Sequence, residues 1–311
     1  MAWCMNRIIE TWKRDIGKGF RALADLLMPR RCLVCDAKLE DEQLYLCPHC
    51  HSDMPLTRFW QLSHNPMADK LNELIQKELE RRWNCSEGES GGEGIGEGDR
   101  SGMEQNLGSA AHCRPEPLAR PDGIPCFETH RHSHSTHERY AYAASLFFFS
   151  ESADYKRIPY SIKYGGALKA GKYFGNMLGE KLAEVPWFQA IDMIIPVPLH
   201  WRRERKRGYN QAKIIAEGIS EAINVPVRTD ILLRRRHTKT QVSLDIQDKS
   251  ANVKGAFVAT SASTGYVRHI LLVDDVFTTG STLFACFCAL REVFPPEVRI
   301  SVATLGYVGQ A

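Results

Sequence analysis

Two adjacent carboxylates, Asp274 and Asp275, are followed after Val276-Phe277 by the hydroxyl-rich turn Thr278-Thr279-Gly280-Ser281-Thr282. Neighbouring carboxylates accept hydrogen bonds from paired sugar hydroxyls or help to hold a divalent cation. A short turn of this composition that runs into a helix directs backbone N–H groups, hydroxyls and the positive end of the helix dipole at an anion. A monophosphate held beside a diol is a ribose 5-phosphate group. The bland alternative is a strand, a helix cap and two chance acids.

A second chemistry lies near the N-terminus. Cys32-Leu33-Val34-Cys35 and Cys47-Pro48-His49-Cys50 are two Cys-x-x-Cys knuckles separated by 11 residues. Knuckles at this spacing bring Cys32, Cys35, Cys47 and Cys50 around one tetrahedral Zn²⁺, and four thiolates leave no open position for catalysis, so the metal is structural. His49 and His51 are unnecessary as ligands. Free core cysteines are the competing reading. Cys286 and Cys288 read as packing residues of a later helix, and Cys85, Cys113 and Cys126 have no useful spacing.

Elements must hold these groups in place. Ile270 to Val273 read as a buried parallel strand that ends at the acids, and Leu283, Phe284, Phe287 and Leu290 recur at helical spacing behind the turn. Upstream, a strand over 141–149, a helix over 153–163 ended by Gly165 and Gly166, and a helix near 171–183 lead to a second apolar strand over 191–197. Strands alternating with helices predict an α/β domain, a parallel sheet flanked by helices, with both strand-end loops opening on one side. The second strand delivers the stretch from His200 to Gly208, read as a loop bearing Arg202, Arg203, Arg205, Lys206 and Arg207. Asn210 caps the helix that carries Ile214, Ile215 and Ile219. Arg234 to Thr238 read as a further strand.

The string from Ile270 to Leu283 resembles the phosphoribosyl-pyrophosphate-binding motif of type I phosphoribosyltransferases. Ile195 to Arg203, Arg207 to Ala212, Arg236 to Gln241 and Asn252 to Phe257 then follow in the order of the ComF family of competence-associated phosphoribosyltransferase-like proteins. The resemblance covers residues 139–311 and the cysteine cluster, but not 84–138. It implies a type I phosphoribosyltransferase fold in which Thr278, Thr279, Gly280, Ser281 and Thr282 hold the 5-phosphate, Asp274 and Asp275 fix the ribose hydroxyls, and Arg202 and Arg203 with Mg²⁺ draw off pyrophosphate. The acceptor is an unidentified base or amine. Residues 239–252 stand where relatives carry a closing lid, and Lys249 stands where they carry an arginine, so the resemblance implies a catalytic cation there that keeps the charge but not the planar fork. From a different class, the resemblance also admits a non-enzymatic accessory factor of DNA uptake that retains the phosphate site, its partners being single-stranded DNA or competence proteins.

Composition divides the chain of 311 residues further. Residues 1–83 carry 13 basic and 12 acidic side chains, residues 84–139 carry 5 and 10, and residues 140–311 carry 22 and 15, for charges of +1, −5 and +7. The proposed catalytic part is therefore the basic one, which suits an anionic ligand or nucleic acid. The domains expected are an amphipathic helix within 1–30, the Cys₄ knuckle at 31–55, a helical connector at 56–83, a disordered low-complexity insert at 84–138 and the phosphoribosyltransferase domain at 139–311. The insert is rich in Ser, Gly and Glu and too poor in apolar side chains to offset chain entropy. Its His130, His132, His134 and His137 read as solvated. The first helix, with Ile8, Trp12, Ile16, Phe20, Leu23 and Leu27 on one face, docks on its own protein, since its polar face mixes both charges rather than favouring the basic ones a membrane surface needs. No secretory h-region or membrane span is read, so the expected location is cytoplasmic.

Overall fold

The computed structural model describes residues 29–87, 139–149, 154–235, 255–260 and 266–309. The expectations for the helix at 6–28, for the insert from 88 to 138 with its histidines, and for the lid at 239–252 with Lys249 fall outside these residues. The chain forms two compact units, one of Met1–Lys77 with Glu138–Ala311 and one of Glu78–His137. Everything below concerns the first unit, apart from the C-terminal half of one helix.

After the cysteine knuckles comes the short helix α1 (Pro48–Ser52), then a 3-10 turn at Phe59–Gln61 and the long helix α2 (Pro66–Glu87). From Glu78 on, α2 belongs to the second unit. It runs four residues past the expected connector, into Asn84–Glu87. Strand β1 (Ala143–Phe149) is followed by helices α3 (Arg157–Tyr164) and α4 (Leu168–Ala183), then by strand β2 (Met193–Pro196). Helices α5 (Trp201–Arg207) and α6 (Gln211–Ile223) come next, then the short strands β3 (Leu232–Arg234) and β4 (Phe257–Ala259). Strand β5 (His269–Phe277), helix α7 (Ser281–Arg291) and strand β6 (Arg299–Val308) complete the described chain.

The main sheet has the order β1-β6-β5-β2, every pair parallel. Strands β5 and β6 lie in its centre and are apolar almost throughout, as strands covered on both faces must be. Both outer strands are protected. Phe148 N–H donates to Pro55 O at 2.8 Å along β1, and Ile194 N–H donates to Pro226 O at 2.9 Å along β2, so no bare edge invites a second chain. Strands β3 and β4 pair antiparallel as a separate ribbon against α7.

Helices α4 and α6 pack together over the sheet, and the closeness of that crossing is a matter of glycine. A Cβ at Gly218 would stand 2.1 Å from Lys172 O, and one at Gly175 would stand 2.3 Å from Ile215 O. No other residue type lets the two backbones approach so far.

The stretch from His200 to Gly208, read from sequence as a loop, contains the two-turn helix α5. Its residues are mostly good helix formers, the His200 side chain accepts from Arg202 N–H at 3.3 Å as an N-cap, and Gly208 at φ 83° ends it with its N–H on Glu204 O. Strand β5 likewise runs on through the acids to Phe277, because β6 supplies partners as far as Tyr307.

The cysteine module is not a satellite. Cys32, Val34, Leu39, Leu46, Cys50 and Met54 are buried in one continuous apolar cluster with Ile158 and Ile162 of α3 and Phe174 and Leu178 of α4. Tyr155, in the 3-10 turn just before α3, donates to Cys50 O at 2.7 Å, and Arg157, the first residue of α3, donates to Val34 O at 3.1 Å, tying this end of the helix to the module.

Candidate functional site

Gly280 takes φ 78°, a left-handed conformation that glycine adopts without a side-chain clash, and a Cβ there would meet the Phe277 ring at 2.8 Å. This bend starts α7 with no side chain at its cap residue; Ser281 N–H donates to Thr279 Oγ1 at 3.4 Å, and the hydroxyls of Thr279 and Ser281 bond each other at 2.9 Å. Thr278 is exposed, and Thr279, Ser281 and Thr282 are half-buried around the bend. Lys70 of α2 donates to Thr278 O at 3.1 Å, bringing a positive charge to the same turn. A helix start, hydroxyls and an ammonium are the components from which anion sites are built.

Adjacent strand residues point to opposite faces. Asp275 meets Lys163 of α3, Nζ to Oδ2, at 3.0 Å, with both side chains largely shielded from solvent. Asp274 faces the other way, toward Arg234 of β3 and Cys286 of α7. Although Asp274 keeps some accessible surface, its carboxyl is deeply packed. That burial and the charge of Asp275 raise its pKa to about 7, against the backbone N–H of Asp275, Lys163 and Arg234, which lower it. Burial and the charge of Arg203 lower the pKa of Arg234, which lies over the Phe257 ring at 5.1 Å. Arg203 thus stands near Arg234 on the Asp274 side.

The basic helix α5 arrives on the end of β2. Arg202 and Arg205 lie over the exposed ring of Trp201 at 5.2 and 5.6 Å, and Arg207 lies over Tyr164 at 5.1 Å while donating to its hydroxyl at 3.4 Å. Tyr164 is 69% exposed and follows Lys163 directly, so α5 and the Lys163–Asp275 pair are neighbours. The fold thereby gathers Asp274, Asp275, Arg203 and Thr278–Thr282 at the C-terminal end of the parallel strands, with Arg202 on the same short helix; Lys249 lies outside the described residues. Lys163, Lys70 and Arg234 were not singled out from sequence. Each left only a structural trace there: Lys163 ends an expected helix before a Gly-Gly stop, Arg234 opens an expected strand, and Lys70 lies in the expected helical connector.

At the other centre, the Sγ atoms of Cys32, Cys35, Cys47 and Cys50 all lie within 4.8 Å of one another, and Cys35 and Cys47 are 3.6 Å apart. Four bonds of about 2.3 Å to one zinc ion require sulfurs about 3.8 Å apart, so this set fits Zn²⁺. Backbone N–H groups already point at the sulfurs, Cys47 N to Cys32 Sγ at 3.4 Å and Cys50 N to Cys47 Sγ at 3.5 Å. Burial pushes the Cys32 thiol up, but backbone N–H groups at Cys35, Cys47 and Val34 outweigh it and bring the pKa down to about 7. His49 pairs instead with Asp53 at 2.9 Å.

Residues 23–59 match a double zinc ribbon domain. Competence protein F of Haemophilus influenzae is 40% identical over 110 residues, which cover 35% of this chain and 48% of that protein. The DNA utilization protein YhgH of Escherichia coli K12 is 37% identical over 95 residues, 30% of this chain and 41% of the relative. Competence protein ComFC of Bacillus subtilis is 30% identical over 104 residues, 32% of this chain and 39% of the relative. The chain thus spans less than half the length of these relatives. Among solved structures, the glutamine phosphoribosylpyrophosphate amidotransferase of B. subtilis, complexed with ADP and GMP, aligns with a TM-score of 0.28 and 23% identity over 43% of this chain and 26% of the other.

Parallel sheet, flanking helices and cysteine module define an α/β protein with an N-terminal zinc ribbon. Over the matched stretches the chain is similar to competence and DNA-utilization proteins.

Proposed function

We propose that the protein binds phosphoribosyl pyrophosphate with Mg²⁺ and transfers its phosphoribosyl group to a base or amine. The observation that carries this reading is the meeting of three features at one end of the sheet: the uncapped start of α7 behind Gly280, the acid pair on β5, and the arginine-bearing helix α5 after β2. They match the three parts of the ligand, its 5-phosphate, its diol and its diphosphate.

Two carboxylates are hard oxygen donors of the kind Mg²⁺ takes alongside substrate phosphates and water. In the reaction the C1–O bond breaks with its electron pair leaving on the diphosphate, the acceptor nitrogen bonds to C1, and that nitrogen gives up its proton. The protein supplies positioning and charge stabilisation, and no covalent nucleophile is needed.

Calorimetry with phosphoribosyl pyrophosphate and Mg²⁺ tests the binding step, with the Asp274→Asn/Asp275→Asn double variant as control. Heat from the wild type and its loss in the variant are expected; no heat from the wild type ends the reading. A product screen with a panel of bases and amines then identifies the acceptor.

A specific observation favours a second reading, a nucleic-acid-associated accessory role. Trp201, Tyr164 and Tyr160 are 55%, 69% and 49% exposed, and arginines lie over the first two rings. Exposed rings interleaved with arginine are what single-stranded nucleic acid uses for stacking and phosphate contact. The names of the relatives, competence and DNA utilization, agree with such a role.

A further inference from the structure

We infer that Lys163 is a ligand-binding residue of this site: in the free protein its ammonium neutralises Asp275, and when phosphoribosyl pyrophosphate binds it moves from that carboxylate to the diphosphate. The inference rests on the ribose-phosphate reading above and adds to it a residue and an exchange of partners.

The position argues for it. Lys163 Nζ lies 3.0 Å from Asp275 Oδ2, with the two side chains only 26% and 16% exposed. This is a shielded pair, in which a charge left without its partner is costly, rather than a surface ion pair of little consequence. Tyr164, the next residue, is held by Arg207 of α5 at 3.4 Å. Lys163 thus pairs with the acid that would receive the ribose hydroxyls, and its neighbour in sequence meets the helix whose arginines would receive the diphosphate. A bound diol needs the Asp275 carboxylate, and a bound diphosphate offers the displaced ammonium a replacement partner of the same sign.

The backbone beneath Lys163 is fixed while the side chain is long. The start of α3 is bonded to the zinc ribbon through Arg157 and through Tyr155 in the turn before it, and the Tyr209 hydroxyl donates to Ile162 O one residue before Lys163. Gly165 ends the helix with its N–H on Ser161 O at 2.9 Å. Movement is left to four methylenes and a compact ammonium, whose rotatable donors suit a change of partner better than the planar fork of arginine.

Calorimetry in Mg²⁺ on the full chain tests this with two probes, phosphoribosyl pyrophosphate and ribose 5-phosphate, against the wild type, Lys163→Met and Lys163→Arg. Lys163→Met is expected to weaken phosphoribosyl pyrophosphate by at least about tenfold, the value of one hydrogen bond to a charged group. Ribose 5-phosphate, which has no diphosphate, is expected to bind this variant as well as the wild type or better, because Asp275 is released. Lys163→Arg recovers part of the lost affinity. Equal losses for both ligands would mean a merely structural lysine, and unchanged affinity for phosphoribosyl pyrophosphate would overturn the inference while leaving the site reading intact. A wild type that binds neither probe removes both.

A second measurement needs no variant. Acylation of Lys163 in the wild type, mapped by mass spectrometry, is expected to slow with phosphoribosyl pyrophosphate and to quicken with ribose 5-phosphate. The same rate under both ligands would overturn the exchange.

Discussion

Asp274 makes the site sensitive to pH in two opposite senses. With its pKa raised from 3.8 to about 7, its carboxyl is half protonated near neutrality, and a ligand that needs the carboxylate must displace that proton. Affinity for phosphoribosyl pyrophosphate with Mg²⁺ should be flat above pH 8 and fall by about tenfold per unit below 7, a dependence that calorimetry across pH 5.5–8.5 would measure. Stability runs the other way. A carboxyl whose folded pKa lies above its unfolded value favours folding at low pH, and the advantage is lost as pH rises from about 4 through about 7. Thermal unfolding at pH 5.5 and 8 should show this component in the wild type and lack it in Asp274→Asn. The twin acids were legible in the sequence because they are adjacent and open onto a hydroxyl-rich turn. Lys163, Lys70 and Arg234 were not, since nothing local marks a lysine whose partner is, for Lys70, 208 residues away.

Helices and strands carry a different kind of information. The α4–α6 crossing depends on Gly218, so Gly218→Val should overpack it by about 1–3 kcal/mol, visible as a fall in the thermal midpoint with no change in zinc content. The zinc ribbon braces α3, the helix that bears Lys163. Cys47→Ser should therefore release zinc, raise hydrogen exchange over residues 157–164 and lower the thermal midpoint by at least about 4 °C, the equivalent of about 1–2 kcal/mol in a domain of this size. The alternation of strand and helix was legible from periodicity, and the ribbon from its cysteine spacing. In His200–Gly208 the run of positive charge masks a stretch of good helix formers with a cap at His200 and a stop at Gly208, which is why helix α5 is not apparent from composition.

Charge is distributed on the scale of the whole chain. Residues 140–311 carry +7 and residues 84–139 carry −5, so the basic end of the sheet and the acidic insert belong to one molecule. If the exposed rings and arginines of α3 and α5 bind single-stranded DNA, affinity measured by fluorescence should fall steeply with salt, and Trp201→Ala should cost about 1–3 kcal/mol of binding while leaving that slope in place. An absent salt slope removes phosphate-backbone contacts and with them the second reading. None of the described helices is long and apolar enough to cross a membrane.

Patterns written in contiguous residues were settled before folding: the cysteine spacing of the ribbon, the apolar strands of a parallel sheet, and the succession of strand, twin acids, turn and helix, each set by a local period or a fixed separation along the chain. Tertiary structure alone decided that the ribbon shares the core of the larger domain, that Asp274 and Asp275 serve opposite faces, and that Lys163 meets Asp275. Such partners are chosen by how layers stack and which strand ends converge. Burial then multiplies the effect of each charge, and no sequence period encodes it.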